Sequence, residues 1–104
     1  MITKFSLGRV VATTEAIEAI RCLGRQPTEY LLRHQIGDWG DVTAEVAEDN
    51  DYAANQGMRV LSVYRLNGGT LWIITDAERS TTCMLLANRP DRGEDLRALD
   101  GFIN

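Results

Sequence analysis

Beyond an opening strand, apolar residues change their spacing along this chain at Gly57. Before it they recur every three or four residues, and after it every second residue, which predicts helices first and strands second. Thr13 or Thr14 suits the N-cap of a first helix, with Ala16, Ile17, Ile20 and Leu23 facing inward and Gly24 at its end. Pro27 can open a second helix over Thr28 to Gln35, where Tyr30, Leu31 and His34 are neighbours at helical spacing. Asp41 or Thr43 can cap a third, whose inward side is Val46, Ala47, Asn50, Ala53 and Ala54 and whose end is Gly57.

In the strand half, MRVLSVYRL sets Met58, Val60, Ser62, Tyr64 and Leu66 against Arg59, Leu61, Val63 and Arg65. Short links at Asn67-Gly68-Gly69 and AERS lead on to TLWIIT and STTCMLLA, and links that short predict an antiparallel meander. The opening KFSLGRVVAT reads as a further strand with Phe5, Leu7, Arg9 and Val11 on one face. The expected fold is α+β, with N-terminal helices packed on an antiparallel three- or four-stranded sheet. Residues 1–88 form its single domain, and 89–104 a loosely packed or flexible C-terminal segment in which Phe102 and Ile103 are a weak interaction signal.

Composition adds constraints to that picture. With 104 residues, 44 % hydrophobic and 25 % charged, the chain has enough material for one core. A net charge of −4 argues against broad contact with nucleic-acid phosphates but leaves room for one local basic cleft, or for competition with nucleic acid on a basic partner. Cys22 and Cys83 read as reduced, buried thiols. No run reaches transmembrane length and the start lacks a secretory signal, so the expected setting is the cytoplasm, away from membranes.

Three constellations carry candidate chemistry. The stretch RHQIGDWGD places the one histidine near an Asp-Trp pair between glycines. Trp39 there is either a lid on the core or an exposed anchor for a partner, flanked by Asp38 and Asp41. The acidic Glu45, Glu48 and Asp49 are close on one helix, as a solvated face or as a contact for a basic protein. His34 has the intrinsic pKa for proton transfer, with Arg59, Arg79 and Thr81 as anion donors, or it makes a structural hydrogen bond. One histidine and two distant cysteines do not space a metal site, and no motif asks for a cofactor.

The ordered runs RHQIGDWGDVTAE, GMRVLSVYRL and TLWIITDAERSTTCMLL resemble a family of small accessory proteins from plasmids, prophages and integrative elements. That resemblance implies a cytoplasmic accessory of a mobile genetic element, a group that includes inhibitors of restriction and CRISPR-Cas defence. The helices-then-meander layout also resembles the barnase-like metal-independent ribonucleases, which would place His34 as acid or base and Arg59, Arg79, Thr81 and Thr82 around a phosphate of RNA. The expected function is non-enzymatic binding of a basic bacterial or host-defence protein, with a homodimer as a possible state. The alternatives are a ribonuclease or toxin, and a structural domain without activity.

Overall fold

Gly8 decides where the first strand begins. Its φ is +66°, and a β-carbon there would lie 2.5 Å from the Arg79 carbonyl oxygen and the Ser80 backbone, so only glycine lets the two segments touch. In this computed structural model, which describes residues 2–67 and 69–87, β1 therefore spans only Arg9–Ala12. The longer strand read from residue 4 is corrected accordingly: Phe5 and Leu7 leave the alternation at the glycine and join a cluster with Trp39, Ala53 and Val60.

Each helix begins where a side chain takes up a free amide or carries one. Thr13 Oγ1 accepts from Ala16 N at 3.2 Å to open α1 (Thr14–Cys22). Glu29 reaches back to Gln26 N at 3.0 Å at the start of α2 (Pro27–Gln35), which has Pro27 in its first turn. Thr43, not Asp41, caps α3 (Ala44–Gln56) through Val46 N at 3.1 Å, and Gly57 ends that helix at φ 68°. On α1 the inward stripe is shorter than its spacing predicts: Ala16 and Ile20 are buried, while Leu23 is exposed. Cys22, at the end of α1, is exposed rather than buried, and Cys83 is half-buried; both are free thiols.

The strands β2 (Val60–Leu66), β3 (Gly69–Thr75) and β4 (Thr81–Ala87) form the expected antiparallel meander, with Leu66 opposite Gly69 at the tight link. The four-stranded sheet runs β1-β4-β3-β2, and β1 pairs in parallel with β4, Arg9 opposite Thr81 and Ala12 opposite Met84. The sheet is thus mixed instead of wholly antiparallel. Three helices and two strands lie between β1 and β4, a connection long enough for parallel pairing, which a short turn is not.

Alternation sends Ser62, Tyr64, Leu66, Leu71, Ile73, Thr75, Thr82 and Met84 to the face covered by the helices. Ala16, Ile20 and Tyr30 pack there against Tyr64, Leu66, Leu71, Ile73 and Met84. Each fully buried aliphatic side chain in that layer contributes about 1.5–3 kcal/mol. Val63, Trp72 and Ile74 form a separate cluster on the opposite face. The loose segment expected from residue 89, with Phe102 and Ile103, lies outside the described residues.

The outer edge of β2 is closed group by group. Asn50 Nδ2 donates to Leu61 O at 2.7 Å and its Oδ1 accepts from Leu61 N at 3.1 Å. Next along the strand, Val63 N donates to Trp39 O at 3.0 Å and Asp41 N donates to Val63 O at 2.5 Å. Asp41 Oδ2 then accepts from Arg65 N at 2.8 Å, which is why this carboxylate is not the α3 cap. Gly40 makes the approach possible, since a β-carbon there would sit 2.1 Å from Val63 O. Asn50→Ala is expected to cost about 2 kcal/mol, because both Leu61 groups lose their partner together. Urea unfolding checks it; an unchanged midpoint would show that water replaces the amide at no cost.

Candidate functional site

His34 sits at the centre of a buried polar chain that crosses the sheet. The imidazole is fully buried, with Nδ1 at 2.5 Å from Ser62 Oγ and Nε2 at 2.8 Å from Thr75 Oγ1. Thr75 Oγ1 lies 2.7 Å from Thr82 Oγ1, which donates to Leu7 O at 2.7 Å. The last link fixes all the hydrogens. A carbonyl can only accept, so Thr82 donates to Leu7, Thr75 donates to Thr82, and His34 must donate to Thr75 from Nε2. Its Nδ1 is then the bare nitrogen, accepting from Ser62. Phe5 and Trp39 meet the ring edge-on at 5.1 and 5.9 Å. Burial, with the charge of Arg79 adding to it, lowers the imidazole pKa to about 3 and keeps it neutral at physiological pH.

The other residues placed around a phosphate are engaged in the fold. Arg79, at φ 59°, donates from Nη1 to Met58 O at 2.7 Å and to Asp76 O at 2.8 Å, and from Nη2 to Ala53 O at 3.1 Å. The guanidinium thereby ties the β3–β4 turn to the end of α3 and covers the Phe5 ring at 5.1 Å. Thr81 N donates to Asp76 Oδ1 at 3.2 Å, and Asp76 also accepts from the Ser80 amide and hydroxyl. Arg59 is exposed beside Tyr52 and Met58, on the lip of a shallow cleft. No solvent-facing surface joins His34 to Arg59, because the histidine has none.

Trp39 is the lid and not the anchor. It is 4 % exposed, stacks on Phe5 with centroids 6.2 Å apart, and donates from Nε1 to Asp51 Oδ1 at 2.9 Å. Asp38 is exposed but paired with Arg33 Nε at 2.8 Å, which holds its carboxyl below the usual range. Arg25, Arg33 and Arg65 line one cleft of about 340 Å³ with Tyr30, Tyr64 and Asp41. Glu29 and Asp38 pair with the Arg25 and Arg33 guanidinium groups, so carboxylates match two of the cleft's positive charges, while Asp41 accepts from the Arg65 backbone amide.

Glu45, Glu48 and Asp49 do come together. All three are exposed on the outer side of α3, and Tyr52, 62 % exposed, continues the same stripe. At 100° per residue the four fall within an arc of about 100°. Among the described residues none of the three carboxylates has an ion-pair partner. Met58, 50 % exposed, lies with Asp49, Tyr52 and Arg59 around a cleft of about 330 Å³ beyond the helix end. The sequence carried the signal for Tyr52: it is three residues after Asp49, four after Glu48, and off the inward set.

Among the described residues no group of His, Cys, Asp and Glu could hold a metal ion, and no helix is long and apolar enough to cross a membrane. No protein-family model, curated protein or solved structure matches the chain.

Proposed function

We propose that this chain is a non-enzymatic binding protein that docks the outer face of α3 onto a basic surface of another protein. The observation that carries the reading is the stripe of carboxylates, without an ion-pair partner among the described residues, that ends in an exposed tyrosine. Glu45 and Glu48 are three apart, and Glu45 and Asp49 four apart, so each pair repels within the helix at a cost of about 0.2–0.5 kcal/mol. A cationic partner relieves that cost and Tyr52 supplies an amphipathic ring to bury, with Met58 adding apolar contact. Charges of this kind act first on the association rate and on partner choice.

The resemblance to accessory proteins of mobile elements suggests the kind of partner: a restriction or CRISPR-Cas protein, whose nucleic-acid cleft is basic. The ribonuclease alternative has less in its favour, since its proton-transfer group would be an imidazole enclosed by Ser62, Thr75, Phe5 and Trp39.

Affinity capture from bacterial lysate, followed by titration of the captured protein, tests the surface. Tyr52→Ala is expected to weaken binding by about 2 kcal/mol, and Glu48→Lys to weaken it and flatten its salt dependence. Both positions are exposed, so the variants should melt like the parent. Undiminished affinity in both folded variants would rule the α3 face out.

A further inference from the structure

The two edges of the sheet are treated in opposite ways. At β2 the outward groups of Leu61 and Val63 and the amide of Arg65 are met by Asn50, Trp39 and Asp41. At β1 the amides of Arg9 and Thr13 donate inward, to Ser80 O at 2.9 Å and Met84 O at 3.0 Å. In a parallel ladder a residue turns both its N–H and its C=O to one side, so the intervening Val10 and Ala12 turn theirs outward. Among the described residues nothing meets them, and all four residues of the strand are exposed, Val10 at 40 % and Val11 at 37 %. An edge left bare and apolar is a template for another strand.

We propose that β1 pairs antiparallel with β1 of a second copy of this chain, with Val11 on the two-fold axis. In that register Val10 lies opposite Ala12 of the other copy, so each open N–H meets an open C=O and every outward group of the strand is used. Val11 meets its own counterpart on the face away from the helices. There it borders an apolar groove of about 240 Å³ with Cys83 and Leu85, which becomes continuous between the copies.

Charge favours a second copy over a foreign strand. Arg9 falls opposite Thr13 of the other copy, two residues before Glu15 in the first turn of its α1, and both charged side chains are exposed. Arg9 shares the face of Val11, so its guanidinium would reach Glu15 around the end of the strand, an attraction that the symmetry supplies twice. The α3 carboxylates, which would repel another copy of a chain with net charge −4, belong to a helix bound at the β2 edge, the far side of the sheet. The pairing leaves that face open, so it is independent of the binding function proposed for α3.

Sedimentation equilibrium of the full chain across a concentration series, with amide exchange read by NMR, tests this. A dimer is expected in which the Val10 and Ala12 amides exchange slowly in proportion to the dimer fraction. Val10→Pro removes an outward amide and no described internal bond, and is expected to raise the dimer dissociation constant at least about tenfold. If that variant fails to fold, Val11→Lys places two ammonium groups together on the axis and should separate the copies as well. Arg9→Glu should weaken the dimer, and adding Glu15→Arg should restore it. A chain monomeric at every concentration overturns the proposal. So does a dimer that keeps its affinity in both strand variants, or a monomer whose edge amides are protected only by a strand of another protein.

Discussion

Lowering the pH from 6.5 to 4.5 is expected to cost the folded protein about 2 kcal/mol, and His34 is the group responsible. Its imidazole is held at a pKa of about 3 in the fold, against about 6.5 when exposed. Well above pH 6.5 it is neutral in both states and its stability contribution is complete. Below that the unfolded chain binds a proton that the folded one refuses, so stability falls as pH falls, by about 1.4 kcal/mol per unit, until the folded pKa is reached near 3. Burial explains the refusal, since the charged ring would lose its hydration, and the positive charge of Arg79 adds to it. Urea midpoints at pH 7, 6, 5 and 4.5 measure the slope. His34→Gln should remove the slope whatever its absolute stability. A parent protein equally stable at pH 7 and 5 would mean that the histidine accepts a proton inside the fold.

Trp39→Ala is expected to cost about 3–5 kcal/mol of folding stability. The indole is 4 % exposed, stacked on Phe5, edge-on to His34, and bonded to Asp51, so its loss opens a cavity and strips a partner from a carboxylate. For a chain of this size each kcal/mol lowers the melting temperature by roughly 4–8 °C, and the loss should exceed about 12 °C. Trp39→Phe keeps the stacked ring and gives up the Asp51 bond, so about 1–2 kcal/mol is expected. Calorimetry separates the two, and an alanine variant melting with the parent would mean that Trp39 does not hold this cluster together.

The helices and the meander were legible because each has local punctuation: Thr13, Pro27, Thr43 and Gly57 for the helices, and a period of two with tight links for β2 to β4. The direction of β1 was not, since Arg9–Ala12 is too short to name its partner and the Gly8 kink depends on a turn some seventy residues away. The acidic stripe on α3 followed from helical spacing. The burial of Trp39 and His34 did not, because their partners Asp51, Ser62 and Thr75 are remote in sequence and carry no motif. The closing of the β2 edge by Asn50 was hidden for a similar reason: an asparagine on the inner side of a helix resembles a minor flaw until its strand is in place.

The hydroxyl chain from His34 through Thr75 and Thr82 ends on Leu7, joining residues separated by 75 positions. Its last acceptor lies before the first strand and its last donor in the final one, so the chain of hydroxyls behind the buried imidazole is satisfied only once both ends of the described chain have arrived. Neither the helical half nor the meander can be assembled first and left waiting without a bare polar group inside it. Such wiring couples the two halves into one cooperative unit: the N-terminal helices emerge early but settle only when β4 has joined the sheet.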